Sequence, residues 1–131
     1  MSMSIFPDAV WMAMFNFKKK GFRNPPTTYY FNPLTSAMDT MIGHPNGMTA
    51  NICYGGRLGF EILLDFLQKM AVAMNRTERY FQFVWATSLF HDYLNHGMLG
   101  DEFLLETLKW FKTEGYLEDT VFVLMSDHGM R

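Results

Sequence analysis

The sequence predicts an α/β domain built on a parallel βαβ unit, and three observations predict it. Apolar residues recur at helical spacing over 57–74 and again over 104–111. Two short apolar runs, one near 80–87 and one at 120–125, have the length and the aromatic and β-branched content of buried strands. The segments alternate as helix, strand, helix, strand. Two strands joined by a helical crossover lie parallel and leave both following loops at one edge of the sheet, the edge where open α/β sheets bind ligands.

Residues 1–20 mix apolar and basic side chains, with a short helix expected around Asp8 to Phe15. Residues 21–56 are dense in Gly, Pro, Asn and Thr and show little periodicity, which predicts a long irregular connection. From Arg57 the pattern changes. Phe60, Leu63, Leu64, Leu67, Ala71 and Met74 form one apolar stripe, and Glu61, Asp65, Gln68 and Lys69 fall between them, which predicts an amphipathic helix over 57–74. The strand near 80–87 is expected to be apolar on both faces. Gly100-Asp101-Glu102 offers an N-cap and an acidic first turn, Leu104, Leu108 and Phe111 supply the stripe of a second helix, and Gly115 stops it. "TVFVLM" then reads as the second buried strand.

The chain has 131 residues, enough for one domain with a core and too few for two of ordinary size. Apolar residues make up 49% and charged residues 18%, a globular balance that excludes a disordered chain. Net charge is −2 and no basic stripe with interleaved aromatics occurs, which excludes nucleic acid as a partner. Lys18-Lys19-Lys20 reads as a solvated approach to a turn. Cys53 stands alone, cannot form a disulfide within the chain, and is expected to be buried and inert. No apolar run approaches the ~18 residues of a membrane span, so no transmembrane segment is expected. The first residues lack the basic region of a signal peptide. Asn75-Arg76-Thr77 is a glycosylation sequon, a weak pointer to secretion.

Both predicted strand ends carry adjacent acid and imidazole: His91-Asp92 after the first and Asp127-His128 after the second, with His96 four residues beyond Asp92. Carboxylate oxygen and neutral imidazole nitrogen bind Zn²⁺ at about 2.0–2.2 Å. Groups from two neighbouring strand ends could share one ion, or line two ions about 4 Å apart that stabilise charge on a transferring phosphoryl or sulfuryl group. The alternative is that each pair is a structural turn. No helical His-Glu-x-x-His motif and no Gly-x-Ser-x-Gly elbow is present. Ser126 is expected to bond the backbone, and His44, in the turn "GHPNG", to be exposed and inert.

Four segments, in order, carry a family resemblance. "TEGYLEDTVFVLMSDHGMR" resembles the stretch of sulfatases and their alkaline phosphatase superfamily relatives in which a helix and a Gly-x-Leu-Glu-Asp-Thr-like turn lead into a strand ending Ser-Asp-His-Gly. Gly21 to Tyr30, "CYGGRLGFEILLDF" from Cys53 to Phe66, and the strand ending Ser88 to Asp92 with Asn95 behind it are similar to a sulfatase-like family of mostly secreted or membrane-anchored animal proteins, described as a domain of unknown function. The resemblance implies a partial alkaline-phosphatase/sulfatase-like fold. It implies Asp127 and His128 as metal ligands, Asp92 and His96 as ligands of a second ion, and His91 as a substrate contact. The implied cofactor is a divalent metal (Zn, Mn or Ca), and the implied partner is a small-molecule or glycan sulfate or phosphate ester. The implied localisation is extracellular or the secretory pathway.

The chain departs from the family pattern in lacking the Cys-x-Pro-x-Arg sulfatase signature, since Cys53 is followed by Tyr-Gly-Gly-Arg. The nucleophile, the first-strand ligand and the late ligands are absent. Residues 1–131 are therefore expected to be an incomplete sulfatase-like domain, with 1–56 as an irregular entry segment and 57–131 as helix-strand-helix-strand. As such it would be a segment of a metal-dependent ester hydrolase, inactive as this chain and holding an ion weakly if at all. Two other readings stand beside this one: an extracellular binding or structural protein on a degenerate sulfatase-like fold, and a small cytosolic α/β domain whose Asp-His pairs are structural.

Overall fold

The computed structural model describes residues 2–7 (backbone only), 24, 27–42, 52–74 and 79–129. The architecture is mixed α/β. In chain order it comprises β1 (Ser2–Pro7), β2 (Tyr29–Tyr30), α1 (Asn32–Met41), β3 (Cys53–Tyr54), β4 (Arg57–Leu58), α2 (Gly59–Met74), β5 (Tyr80–Trp85) and α3 (Asp101–Thr113), with 3-10 turns at Leu94–Leu99 and Tyr116–Glu118. The expected helix at Asp8 to Phe15, the Lys18–Lys20 triplet, His44 and the Asn75 sequon lie outside the described residues.

The hydrophobic stripe read over 57–74 is the axis of the core. Phe60, Leu63, Leu64, Leu67, Met70, Ala71 and Met74 are buried along α2 and join Phe31, Leu89 and Phe111 in one cluster. The helix starts at Gly59 because Arg57 and Leu58 belong to a hairpin. Gly55 and Gly56, with φ of 57° and 86°, form its two-residue turn, the positive-φ geometry that matches strand twist and favours glycine. Arg57 then donates from Nε to Glu61 Oε1 at 2.8 Å and from a terminal nitrogen to Asp65 Oδ2 at 2.5 Å, tying the hairpin to the first two turns of α2. The Asp65 and Glu61 hydrogen bonds hold the guanidinium firmly in its charged form. The segment "CYGGRLGFEILLD" is therefore one structural unit: turn, clamp and helix.

Of residues 21–56, the described stretches 27–42 and 52–56 contain a helix and part of a hairpin where composition predicts an irregular connection. Pro33 sits in the first turn of α1, where a missing N–H costs nothing, and Phe31, Thr35 and Met38 turn one face of that helix inward. The Tyr54 hydroxyl donates to Asp39 and joins α1 to the hairpin. Cys53 is exposed, contrary to expectation. Successive strand residues point to opposite faces, and in β3 the inward place is taken by Tyr54.

The parallel pairing observed is not the one predicted. β5 pairs in parallel with β1, from Ser2 opposite Tyr80 to Pro7 opposite Trp85, and β1 pairs in parallel with β2, giving the order β2-β1-β5. Residues 120–125 follow α3 in extended form but join no strand among the described residues, so the βαβ unit expected between 80–87 and 120–125 is not formed. Apolar, β-branched composition marks a segment fit for a sheet, yet it does not name the edge that would take it. Of residues 121–125, Phe122 is the one partly buried, its ring 5.5 Å from that of Phe111. β5 is also not buried on both faces. Tyr80, Val84 and Ala86 pack on the core, whereas Phe81 on the other face is 46% exposed and Phe83 stacks on Trp85.

α3 follows the predicted limits. Gly100 is its N-cap, Asp101 and Glu102 occupy the first turn, and Thr107 and Phe111 are buried with Leu104 and Leu108 partly covered beside them. Gly115 ends the run at φ 74°, the left-handed conformation that glycine adopts without a Cβ penalty. Among the described residues no helix is long and apolar enough to cross a membrane.

Candidate functional site

The loop bearing His91, Asp92 and His96 is fixed at both ends by the core. After β5 the amides of Phe90 and His91 donate to the Thr87 carbonyl at 3.0 and 2.9 Å, turning the chain sharply. Leu89 enters the core inside that turn, and Phe90 meets Phe60 edge-to-face at 5.2 Å. The far end returns at Gly100, where a Cβ would stand 2.7 Å from both Leu89 Cδ2 and Phe60 Cδ1. Both ends of the loop lie against the same phenylalanine, Phe60.

Between these anchors His91 and Asp92 face solvent. His91 Nδ1 lies 2.8 Å from Asp92 Oδ1. A carboxylate only accepts, so Nδ1 is the donor in this contact and Nε2 is the nitrogen turned away from it. His96 is half-buried, its ring 4.6 Å from that of Tyr93, and its amide donates to the Tyr93 carbonyl. Sequence reasoning missed Tyr93 as the residue that orients His96. The signal available was their i, i+3 spacing.

The second pair follows the extended 120–125 segment. The His128 amide donates to Asp127 Oδ1 at 2.9 Å, and Ser126 Oγ donates to the His128 carbonyl at 2.5 Å, the backbone role expected of that serine. His128 Nδ1 lies 2.6 Å from the Gly129 carbonyl, an acceptor, so Nδ1 is again the protonated nitrogen. Nε2 is left able to accept, 3.6 Å from Asp127 Oδ2. Each pair therefore sets a carboxylate beside an imidazole whose Nδ1 is engaged, so that Nε2 is the nitrogen through which a neutral ring would ligate a cation.

The two pairs are not assembled into one site. Among the described residues no group of three or more His, Cys, Asp and Glu side chains gathers where a metal ion could sit. A structural Zn²⁺ takes four ligands and Ca²⁺ six or more oxygens, so each two-donor pair supplies only part of the coordination such an ion needs. A cleft among the described residues, between α1, the hairpin, α2 and the turn at Ser88, is lined mainly by Phe31, Met38, Tyr54, Phe60 and Leu63 and holds neither pair.

A family model described as a protein of unknown function (DUF229) matches residues 4–131. No curated protein and no solved structure matches the chain.

Proposed function

We propose, for a chain that belongs to the DUF229 family, that it carries the Asp-His segment of a sulfatase-like, metal-dependent hydrolase of sulfate or phosphate esters. The observation that supports this reading is the donor chemistry at Asp127–Gly129. The Gly129 carbonyl holds the proton on Nδ1 and leaves His128 Nε2 as an acceptor beside a carboxylate. The four sulfatase-like segments, ending in "SDHG", add support from sequence. On this reading Asp127 and His128 are ligands of one divalent ion (Zn, Mn or Ca), Asp92 and His96 are ligands of a second, and His91 contacts a small-molecule or glycan ester. The whole protein works outside the cell or in the secretory pathway. A bound ion would supply Lewis-acid stabilisation of charge on the ester oxygens. The chain's own residues fix imidazole tautomers and present carboxylates. With two donors at each place they hold an ion weakly, and the chain alone turns over no ester.

Calorimetric titration of the full chain with Zn²⁺, Mn²⁺ and Ca²⁺ tests the ligand assignment. Weak binding is expected, at least tenfold weaker in Asp127→Asn and in His128→Ala. Unchanged affinity in both variants would remove Asp127 and His128 from the ligand set. Chromogenic sulfate and phosphate esters offered to a longer, metal-loaded protein of the family that contains this segment test the reaction class. Turnover of neither ester favours a second reading, an extracellular binding or structural protein on the same fold. The scattered donors, with no group of three among the described residues, speak for that alternative.

A further inference from the structure

We draw no further inference here: the strongest candidate, the exposed apolar run of Val121, Val123, Leu124 and Met125 between the Tyr116–Glu118 turn and the Asp127–His128 pair, is an unpartnered face and nothing in the structure shows what covers it.

Discussion

Gly100 shows how little room single residues have in this core. Its backbone is of the ordinary right-handed kind, so conformation does not demand glycine; space does. A methyl group there would meet Leu89 and Phe60 at 2.7 Å, and both neighbours are buried among other apolar side chains. Overpacking of this kind costs about 1–3 kcal/mol. Gly100→Ala is therefore expected to lower the thermal midpoint, and also to loosen the stem of the loop bearing His91 and Asp92. Amide hydrogen exchange at Phe90 and His91, whose amides bond to Thr87, reads that second effect. An unchanged melting curve would show that Leu89 can withdraw without cost. Gly56 is constrained differently. Nothing stands within 4 Å of a Cβ there, but φ is 86°, a conformation that costs an L-residue about 1–2 kcal/mol. Gly56→Ala should destabilise the hairpin by that order in a urea titration, although it introduces no clash.

At the scale of elements, α2 carries the fold. Leu63 is 1% exposed at its centre, and truncation to alanine is expected to cost about 2–5 kcal/mol. Val72 lies on the opposite face, and Val72→Ala should stay within about 0.5 kcal/mol of the parent. If urea midpoints moved equally in both variants, the assignment of the buried face would be wrong. This helix and α3 were legible in the sequence because periodicity of 3.6 survives without knowledge of neighbours: Phe60, Leu63, Leu64 and Leu67 announce a face, and Gly115 announces a stop. α1 was not legible, since Pro33 and the surrounding Gly, Pro and Asn residues mask a helix whose buried residues are Thr35 and Met38, with Phe31 as its buried N-cap. The "GG" of "CYGGRL" was a readable hairpin signal, and it explains both the late start of α2 and the exposed Cys53. Strand pairing was the least legible. Which edge takes β5 depends on contacts distant in sequence, and β1 is seventy-odd positions away (Ser2 to Tyr80). The candidate site shares this limit. The tautomers of His91 and His128 follow from neighbours one residue away, whereas bringing the two pairs together depends on where 120–125 lies.

At the scale of the whole molecule, that segment is expected to govern behaviour in solution. Residues 121–125 are apolar and uncharged, contain no proline, and join no strand among the described residues. Val121, Val123 and Met125 are 88%, 70% and 80% exposed. A short, uncharged apolar segment that joins no strand among the described residues is a template for pairing with other chains. The protein is therefore expected to associate at micromolar concentration, with low solubility on isolated expression. Charge placed on the segment should oppose association without touching the core, because Phe122 is the residue that packs on Phe111. The double variant Val123→Lys and Met125→Lys is accordingly expected to raise the monomer fraction in light scattering after size exclusion, with an unchanged far-ultraviolet dichroism spectrum and unfolding midpoint. Phe122→Lys should instead lower the midpoint, since it places a charge against the Phe111 cluster. Two outcomes would contradict this account: an unmodified chain that runs as a monomer and melts cooperatively, or a double variant that loses helical signal. The first would mean that the exposed run is covered within the chain, and the second that it contributes to the core after all.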